Sequence, residues 1–403
     1  MQEIQPWHHI NQTLIGILSL ELTTFSMICS LSDRSHYPSL KEAIYLNQAS
    51  LGLVGQPAVT AMHSYLDDIG RHGNMKLSDT EEVALFDPLR ECAAKLMNCE
   101  PQHLAIVSSA GEMLSQLPYL LNPPAGSQFI SVSTDFPAIT RPWIAFAESH
   151  NIELAFVEDC KESNLTESLV ERMDENVSVV AVSYVQFSTG TLLDIHQLRE
   201  ATRKFGAYLV VDVTQAAGAI PIDTKAWGAD VVVCSGYKWL GGQGGVGLAV
   251  IAPELLDRTP PAPGWMGAPD PFDMQATRMP LATDARRYTQ STMSYIAISG
   301  LSVAITELMK MGGSNIEVHA QSLAKVLNEN LKDTAWTAFR KIEDEAASSH
   351  IICLENPTDN IEKTLARLKQ SRIICSGRNA RVRVSIAHFN DENDIHSLTA
   401  ALG

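Results

Sequence analysis

Between residues 179 and 252, β-branched apolar runs alternate with an amphipathic segment and with Gly-rich turns, a pattern that admits few folds. Val179–Gln186 reads VVAVSYVQ and Ala207–Val213 reads AYLVVDV; Asp230–Cys234 and Gly247–Ala252 supply two further strands. Between the first two, Asp194 is positioned to cap a helix carrying Ile195, Leu198, Thr202 and Phe205 on one face, and Gly206 stands where a helix C-terminus takes a left-handed residue. Strands that are apolar throughout, joined through a helix, specify a parallel sheet covered on both faces. Ligands of such sheets gather at the carboxyl ends of the strands. That rule singles out Asp212.

Residues 41–300 are expected to form a large domain and residues 301–403 a smaller α+β unit, with a helix over Leu323–Leu331 and strands at Ile351–Leu354 and Val382–Ile386. Residues 1–40 form an arm ahead of them. The apolar segment Leu14–Leu31 holds Glu21 and several Ser and Thr, too polar for a membrane span, and no Lys or Arg precedes it as a signal peptide requires. It reads as a helix lying on the body or on a partner chain. The Pro- and Gly-rich stretch Pro260–Pro280 is too long for an ordinary connector; with Trp265 and Phe272 it is expected to line the entrance to a site.

Hydrophobic residues make up 45% of the 403, which excludes a disordered chain, and the formal net charge of −16 argues against non-specific nucleic-acid binding. The seven cysteines are widely spaced with no CxxC pair, so neither a zinc site nor a thioredoxin-like site is expected. Reduced thiols in a cytoplasmic protein are the reading that follows.

The segment Ser235-Gly236-Tyr237-Lys238-Trp239-Leu240 runs into a Gly-rich turn containing GxGxxG at Gly242, Gly244 and Gly247. A dinucleotide fingerprint leaves a strand and opens a helix. Here the glycines follow Lys-Trp-Leu and lead into the strand-like GLAVIA, so that reading fails. Lys238, between a strand end and the turn and flanked by Tyr237 and Trp239, is poorly placed for solvation; a desolvated lysine has a lowered pKa and can form a Schiff base. Asp212 lies upstream at a strand end, where a buried carboxylate suits a pyridinium nitrogen, and Gln215 follows it.

The segments VVDVTQAAGAIPID and SGYKWLGGQGGVG resemble the core of class V aminotransferase-fold enzymes, which use pyridoxal phosphate and include cysteine desulfurases, selenocysteine lyases, kynureninases and isopenicillin epimerase-like proteins. The resemblance runs from about Ile44 to Leu402. It implies an α/β protein of the aspartate aminotransferase type (fold type I), with a mostly parallel sheet in the large domain and a small C-terminal α+β domain to which residues 41–60 contribute. By the resemblance Lys238 carries the cofactor, Asp212 pairs with the pyridine nitrogen, and Gln215 and Gln186 reach the ring oxygen. Ser109, Ala110 and Gly111, at a helix N-terminus, with Ser235 and Tyr237, are the phosphate candidates. Phe136 matches the residue that stacks on the ring, where many relatives place His. Thr292 matches a residue that crosses to the other subunit's phosphate, which implies a homodimer with shared active sites. Arg383 matches the arginine that grips the substrate carboxylate, and Asn47 a segment near the substrate.

The resemblance leaves the reaction open. A β-lyase acting on cysteine, selenocysteine or a thioether amino acid is the leading expectation; an aminotransferase or epimerase on a specialised amino acid is the alternative, and a catalytically silent binding protein a third. Cys375, eight residues before Arg383, is the candidate for a persulfide-forming cysteine, although it reads as the end of a strand rather than as part of a loop.

Overall fold

The computed structural model describes residues 27–403. The chain enters along the C-terminal unit: the Ile28 N–H donates to Glu392, and Arg34 reaches Asp391, Asp394 and the Phe389 carbonyl. Most of the Leu14–Leu31 segment lies outside the described residues, and residues 27–31 are not helical.

Strand β1 (Ile44–Tyr45) is followed by helices α1 (Gln56–His72), α2 (Asp79–Ala84) and α3 (Asp87–Met97). The central part comprises β2 (Leu104–Val107), α4 (Ala110–Leu121), β3 (Gln128–Val132), α5 (Pro137–His150), β4 (Glu153–Val157), α6 (Leu165–Glu171), β5 (Val177–Ser183), α7 (Ile195–Phe205), β6 (Tyr208–Asp212), α8 (Thr224–Trp227), β7 (Val231–Ser235) and β8 (Gly247–Ile251). Its seven strands form one sheet in the order β2-β8-β7-β6-β5-β3-β4, in which only β8 runs against its neighbours. The apolar runs are continuous because both faces are buried. Val180, Val182, Leu209 and Val211 enter one core, while the alternate residues Val179, Ala181 and Val210 enter the other. Helix α7 forms as its pattern demands: Asp194 accepts from the Gln197 N–H, Ile195, Leu198 and Thr202 are buried, and Gly206 closes the helix at φ +70°.

Helix α9 (Tyr295–Met311) packs on α1 and α3, and α10 (Gly313–Leu331) turns away from it by 72° at Gly312. Residue 300 therefore falls inside a helix of the large layer, and the chain crosses to the C-terminal layer at Gly312. There β9 (Thr337–Ala338), β10 (Ile351–Glu355), β12 (Ser376–Arg378) and β13 (Arg381–Ser385) form an antiparallel sheet in the order β12-β13-β10-β9, covered by α10, α11 (Ile361–Gln370) and α12 (Glu392–Leu402) around a third core. Strand β11 (Ile373–Ile374) pairs in parallel with β1, and Asn47 bridges to Ser385, so residues 44–47 are stitched to the C-terminal strands. Among the described residues no single helix is long and apolar enough to cross a membrane.

Candidate active site

The parallel strands deliver their last polar residues to one edge of the large sheet: Ser183 from β5, Asp212 from β6 and Ser235 from β7. The turn after β2 brings Ser109, Ala110 and Gly111 to the same edge, and β8, running the other way, begins there at Gly247. A cavity of about 220 Å³ opens at this edge, lined by Ser109, Ala110, Gly111, Phe136, Asp212, Gln215, Ser235, Tyr237 and Lys238, all expected from sequence, together with Ala138, Ser183, Phe187 and Thr214, which were not. The additional polar residues left a faint signal: Ser183 is the final polar residue of its β-branched run, and Thr214 lies two residues past Asp212.

Lys238 is buried, yet among the described residues its amine has no hydrogen-bond partner; it stands 5.3 Å from the Phe136 ring centre and 5.7 Å from that of Tyr237. Burial pushes the amine down to about 8; Asp212 opposes that shift, and the guanidiniums of Arg383 and Arg378 reinforce it. Asp212 is also buried, and burial pushes its carboxyl up, against the Thr214 N–H that donates to Oδ1 at 2.7 Å and the charge on Lys238. Both groups thus sit buried on the wall of the cavity, each the one charge of its sign in the lining.

At the other end of the cavity, Ser109 caps α4 by accepting from the Glu112 N–H at 3.0 Å, which leaves the Ala110 and Gly111 N–H groups at the helix start free of intrahelical partners. The Ser235 backbone N–H donates to Thr214 Oγ1, while its hydroxyl has no partner among the described residues. Gly247 permits this closeness: a Cβ there would fall 2.8 Å from the Ala110 nitrogen, so only glycine lets β8 lie against the start of α4.

A profile of the family described as aminotransferase class-V matches residues 44–398. The chain belongs to that family. Among its relatives, the uncharacterized aminotransferase YcbU of Bacillus subtilis is 25% identical over 368 residues, 90% of this chain and 94% of that protein. A probable cysteine desulfurase of Pyrococcus abyssi is 24% identical over 321 residues, 78% and 79% of the two chains. The apo cysteine desulfurase of Thermococcus onnurineus superposes with a TM-score of 0.81 at 20% identity, over 91% of this chain and 95% of that one, and so shares the fold.

This class-V aminotransferase-family protein has donors that fit pyridoxal phosphate, the cofactor of the family. A buried unpaired amine, a buried carboxylate across from it, a free hydroxyl and open helix N–H groups correspond to its aldehyde, pyridine nitrogen and phosphate. Phe136, half exposed at the N-cap of α5, meets Phe187 edge-on at 5.5 Å and presents a ring to the same space. Its turn is held by Asp135, which accepts from the Phe136 N–H and from the N–H and hydroxyl of Ser183. Gln215 is engaged at both ends of its amide: Nε2 donates to the Ala49 carbonyl and Oε1 accepts from Trp239 Nε1 at 2.9 Å. One N–H remains for a ligand.

Arg383 on β13 is fully buried, donating to the Phe187 carbonyl at 3.0 Å and to Ser50 Oγ at 2.6 Å; its Nε has no partner. Among the described residues no carboxylate pairs with it. Burial, reinforced by Arg378, pushes the guanidinium down to about 10. A buried cation in this state is a receptor for an anion. Asn47 lies on the ladder to β13 with its Oδ1 buried and unpaired, outside the cavity lining.

Two expectations are corrected. Strand β5 ends at Ser183, so Gln186 lies past the edge and turns beneath it, where Nε2 donates to Asp135 and to the Ser183 carbonyl; Ser183 occupies the cavity position expected of Gln186. The Pro260–Pro280 stretch does not line the Lys238 cavity of its own chain. Trp265 stacks edge-on with Phe272 and donates to Ser291, and Gly264 packs on the Gln290 backbone. Cys375 follows β11 directly, at a strand end as its sequence reads, packs against the C-terminal core and lies outside the cavity lining; burial pushes its thiol up to about 12. Thr292 is exposed just before α9, outside its own chain's cavity.

Proposed function

We propose that this protein is a pyridoxal-phosphate-dependent β-lyase acting on a cysteine-like, selenocysteine-like or thioether α-amino acid. The observation that carries the reading is the unpaired Lys238 amine, pushed down to about 8, facing a cavity whose lining holds no histidine, no cysteine and no second lysine. When bound, pyridoxal phosphate supplies an electron sink for the charge left at Cα. Lys238, neutral in a useful fraction near physiological pH, removes the α-proton. Asp212, buried in the lining, would hold the pyridine nitrogen of the cofactor in its protonated form. Arg383 holds the α-carboxylate and thereby orients the Cα–H bond toward Lys238. Phe136 would stack on the cofactor ring and itself exchanges no proton.

Elimination of HX followed by hydrolysis converts H₃N⁺–CH(COO⁻)–CH₂–X and one water into pyruvate, ammonium and HX, and needs no protein side chain beyond these. The active unit is a homodimer in which Thr292 reaches the partner's phosphate. Support for a transaminase comes from the relative named an aminotransferase, which this chain matches over nearly its whole length. Product analysis separates the two readings. Holoenzyme given S-substituted cysteines should release pyruvate, ammonia and thiol without any keto-acid acceptor, Lys238→Ala should not, and Cys375→Ala should retain the activity. Keto acid formed only when an amino acceptor is present would replace the lyase with the transaminase, and protein that takes up no pyridoxal phosphate would overturn both.

A further inference from the structure

Arg383 is not the only cation without a counter-charge beside this cavity. In the hairpin β12–β13 the two loop residues, Asn379 and Ala380, both take positive φ (+47° and +61°), which closes a two-residue turn and pairs Arg378 with Arg381. Ser376 pairs with Arg383 in the same register. Residues directly opposite one another share a face, as do residues two apart, so Arg378, Arg381 and Arg383 all stand on one face of the sheet.

Their partners differ. Arg381 is neutralised by Glu355 at 3.2 Å and stacks on Phe339. Arg378 and Arg383 both donate to one oxygen, Ser50 Oγ, at 3.3 and 2.6 Å. Among the described residues, neither has a carboxylate partner. Ser50 belongs to the segment that wraps the cofactor lysine: Gln48 donates to the Lys238 carbonyl and the Gly52 N–H to that of Tyr237. Two guanidiniums therefore converge on a single neutral hydroxyl in the segment bonded to the backbone of Tyr237 and Lys238. One substrate carboxylate accounts for Arg383 and leaves Arg378 unbalanced.

We infer that the substrate carries a second anionic group on its side chain, held by Arg378 while Arg383 holds the α-carboxylate. The inference rests on the amino-acid reading above. Within the lyase reaction the corresponding substrate is a thioether amino acid whose sulfur substituent bears a carboxylate or a comparable anion, so that the leaving thiol is itself acidic. The hydroxyl of Ser50, shared by both arginines, fixes the spacing between the two anion positions.

Calorimetric titration of the full-length apoprotein with succinate and with butyrate tests this without turnover or cofactor. The dianion should bind at least tenfold tighter than the monoanion. Arg378→Gln should bring the two within about threefold of each other, and Arg383→Gln should weaken both. Equal binding of the two anions by the unmodified protein overturns the inference, and that comparison decides the matter even if Arg378→Gln fails to fold. Equal weakening of both anions in Arg378→Gln also overturns it, because both arginines would then clamp one carboxylate. The failure of the enzymatic reading has a different signature: apoprotein that discriminates the anions but acquires no cofactor absorption with pyridoxal phosphate.

Discussion

The depressed Lys238 amine makes a quantitative claim about stability. In the unfolded chain this lysine titrates at its ordinary 10.5, and in the folded apoprotein burial brings it to about 8. Between those values the unfolded state binds more protons than the native state, so stability rises as pH climbs through the window from about 8 to 10.5. Below the window the full cost applies: two and a half pH units correspond to about 3.4 kcal/mol, favouring the unfolded chain. Replacing the amine with an uncharged side chain of similar length removes that cost. Lys238→Met apoprotein is therefore expected to be more stable than the parent by about 3 kcal/mol at pH 7 and by only about 1.4 kcal/mol near pH 9.5. Urea unfolding of both apoproteins at the two pH values provides the comparison, and other titrating groups cancel in the difference between variants. A Lys238→Met protein no more stable at neutral pH, or with a gain that does not shrink as pH rises, would show that the amine is solvated and that its proposed role as a base at physiological pH is unsupported. A stabilised but inactive variant is the expected trade-off where function requires a desolvated charge.

Three other perturbations have defined outcomes. Gly247→Ala puts a Cβ 2.8 Å from backbone atoms of Ser109 and Ala110; overpacking of about 1–3 kcal/mol should part β8 from α4 and weaken retention of pyridoxal phosphate at least tenfold, measured by dialysis and cofactor absorbance. Unchanged retention would mean that the start of α4 does not hold the phosphate. Arg340→Met leaves Asp159 buried without its 2.6 Å partner and frees the carbonyls of Cys160, Lys161 and Ser163, so the urea midpoint should report a loss of about 3–5 kcal/mol. A loss below about 1 kcal/mol would mean water replaces the guanidinium. Ala380→Gly relieves a left-handed alanine at φ +61° and should raise stability by about 1 kcal/mol in the same assay; a decrease would show that the hairpin does not adopt this turn.

The layered fold was legible because the physics behind it is local. Continuous apolar runs, the cap at Asp194 and the left-handed Gly206 each state their structure within a dozen residues. Lys238 and Asp212 were legible for a related reason: each sits at a strand end, and strand ends define the working edge of a parallel sheet. Gln186 was misplaced because β5 stops three residues before the apolar pattern does. Tyr184 and Val185 stay buried or half-buried in the following turn, so hydropathy continues where the ladder has ended. Helical periodicity after Pro280 ends near Met311, where the chain crosses at Gly312, so a boundary at residue 300 cuts into α9; packing, α9 on α1 and α3 and α10 on α12, assigns the two helices to different layers.

What the sequence could not disclose is mostly a matter of partners. Arg378, Arg381 and Arg383 are three arginines within six residues of an acidic chain, and composition gives no reason to treat them differently. Their distinct fates depend on contacts far along the chain: Glu355 for Arg381, the Phe187 carbonyl for Arg383, and Ser50 for both Arg378 and Arg383. The formal charge of −16 is spread over the whole protein, yet the cavity is lined by Lys238 with Asp212 as its one carboxylate, and the charges of Arg378 and Arg383 reach the Lys238 amine. Long-range repulsion from an acidic surface acts weakly across a screened solvent, whereas a buried guanidinium and a half-buried one on the same hydroxyl act at hydrogen-bond range. The short-range term decides what binds. An acidic protein is in this way equipped to select a substrate more acidic than an ordinary amino acid.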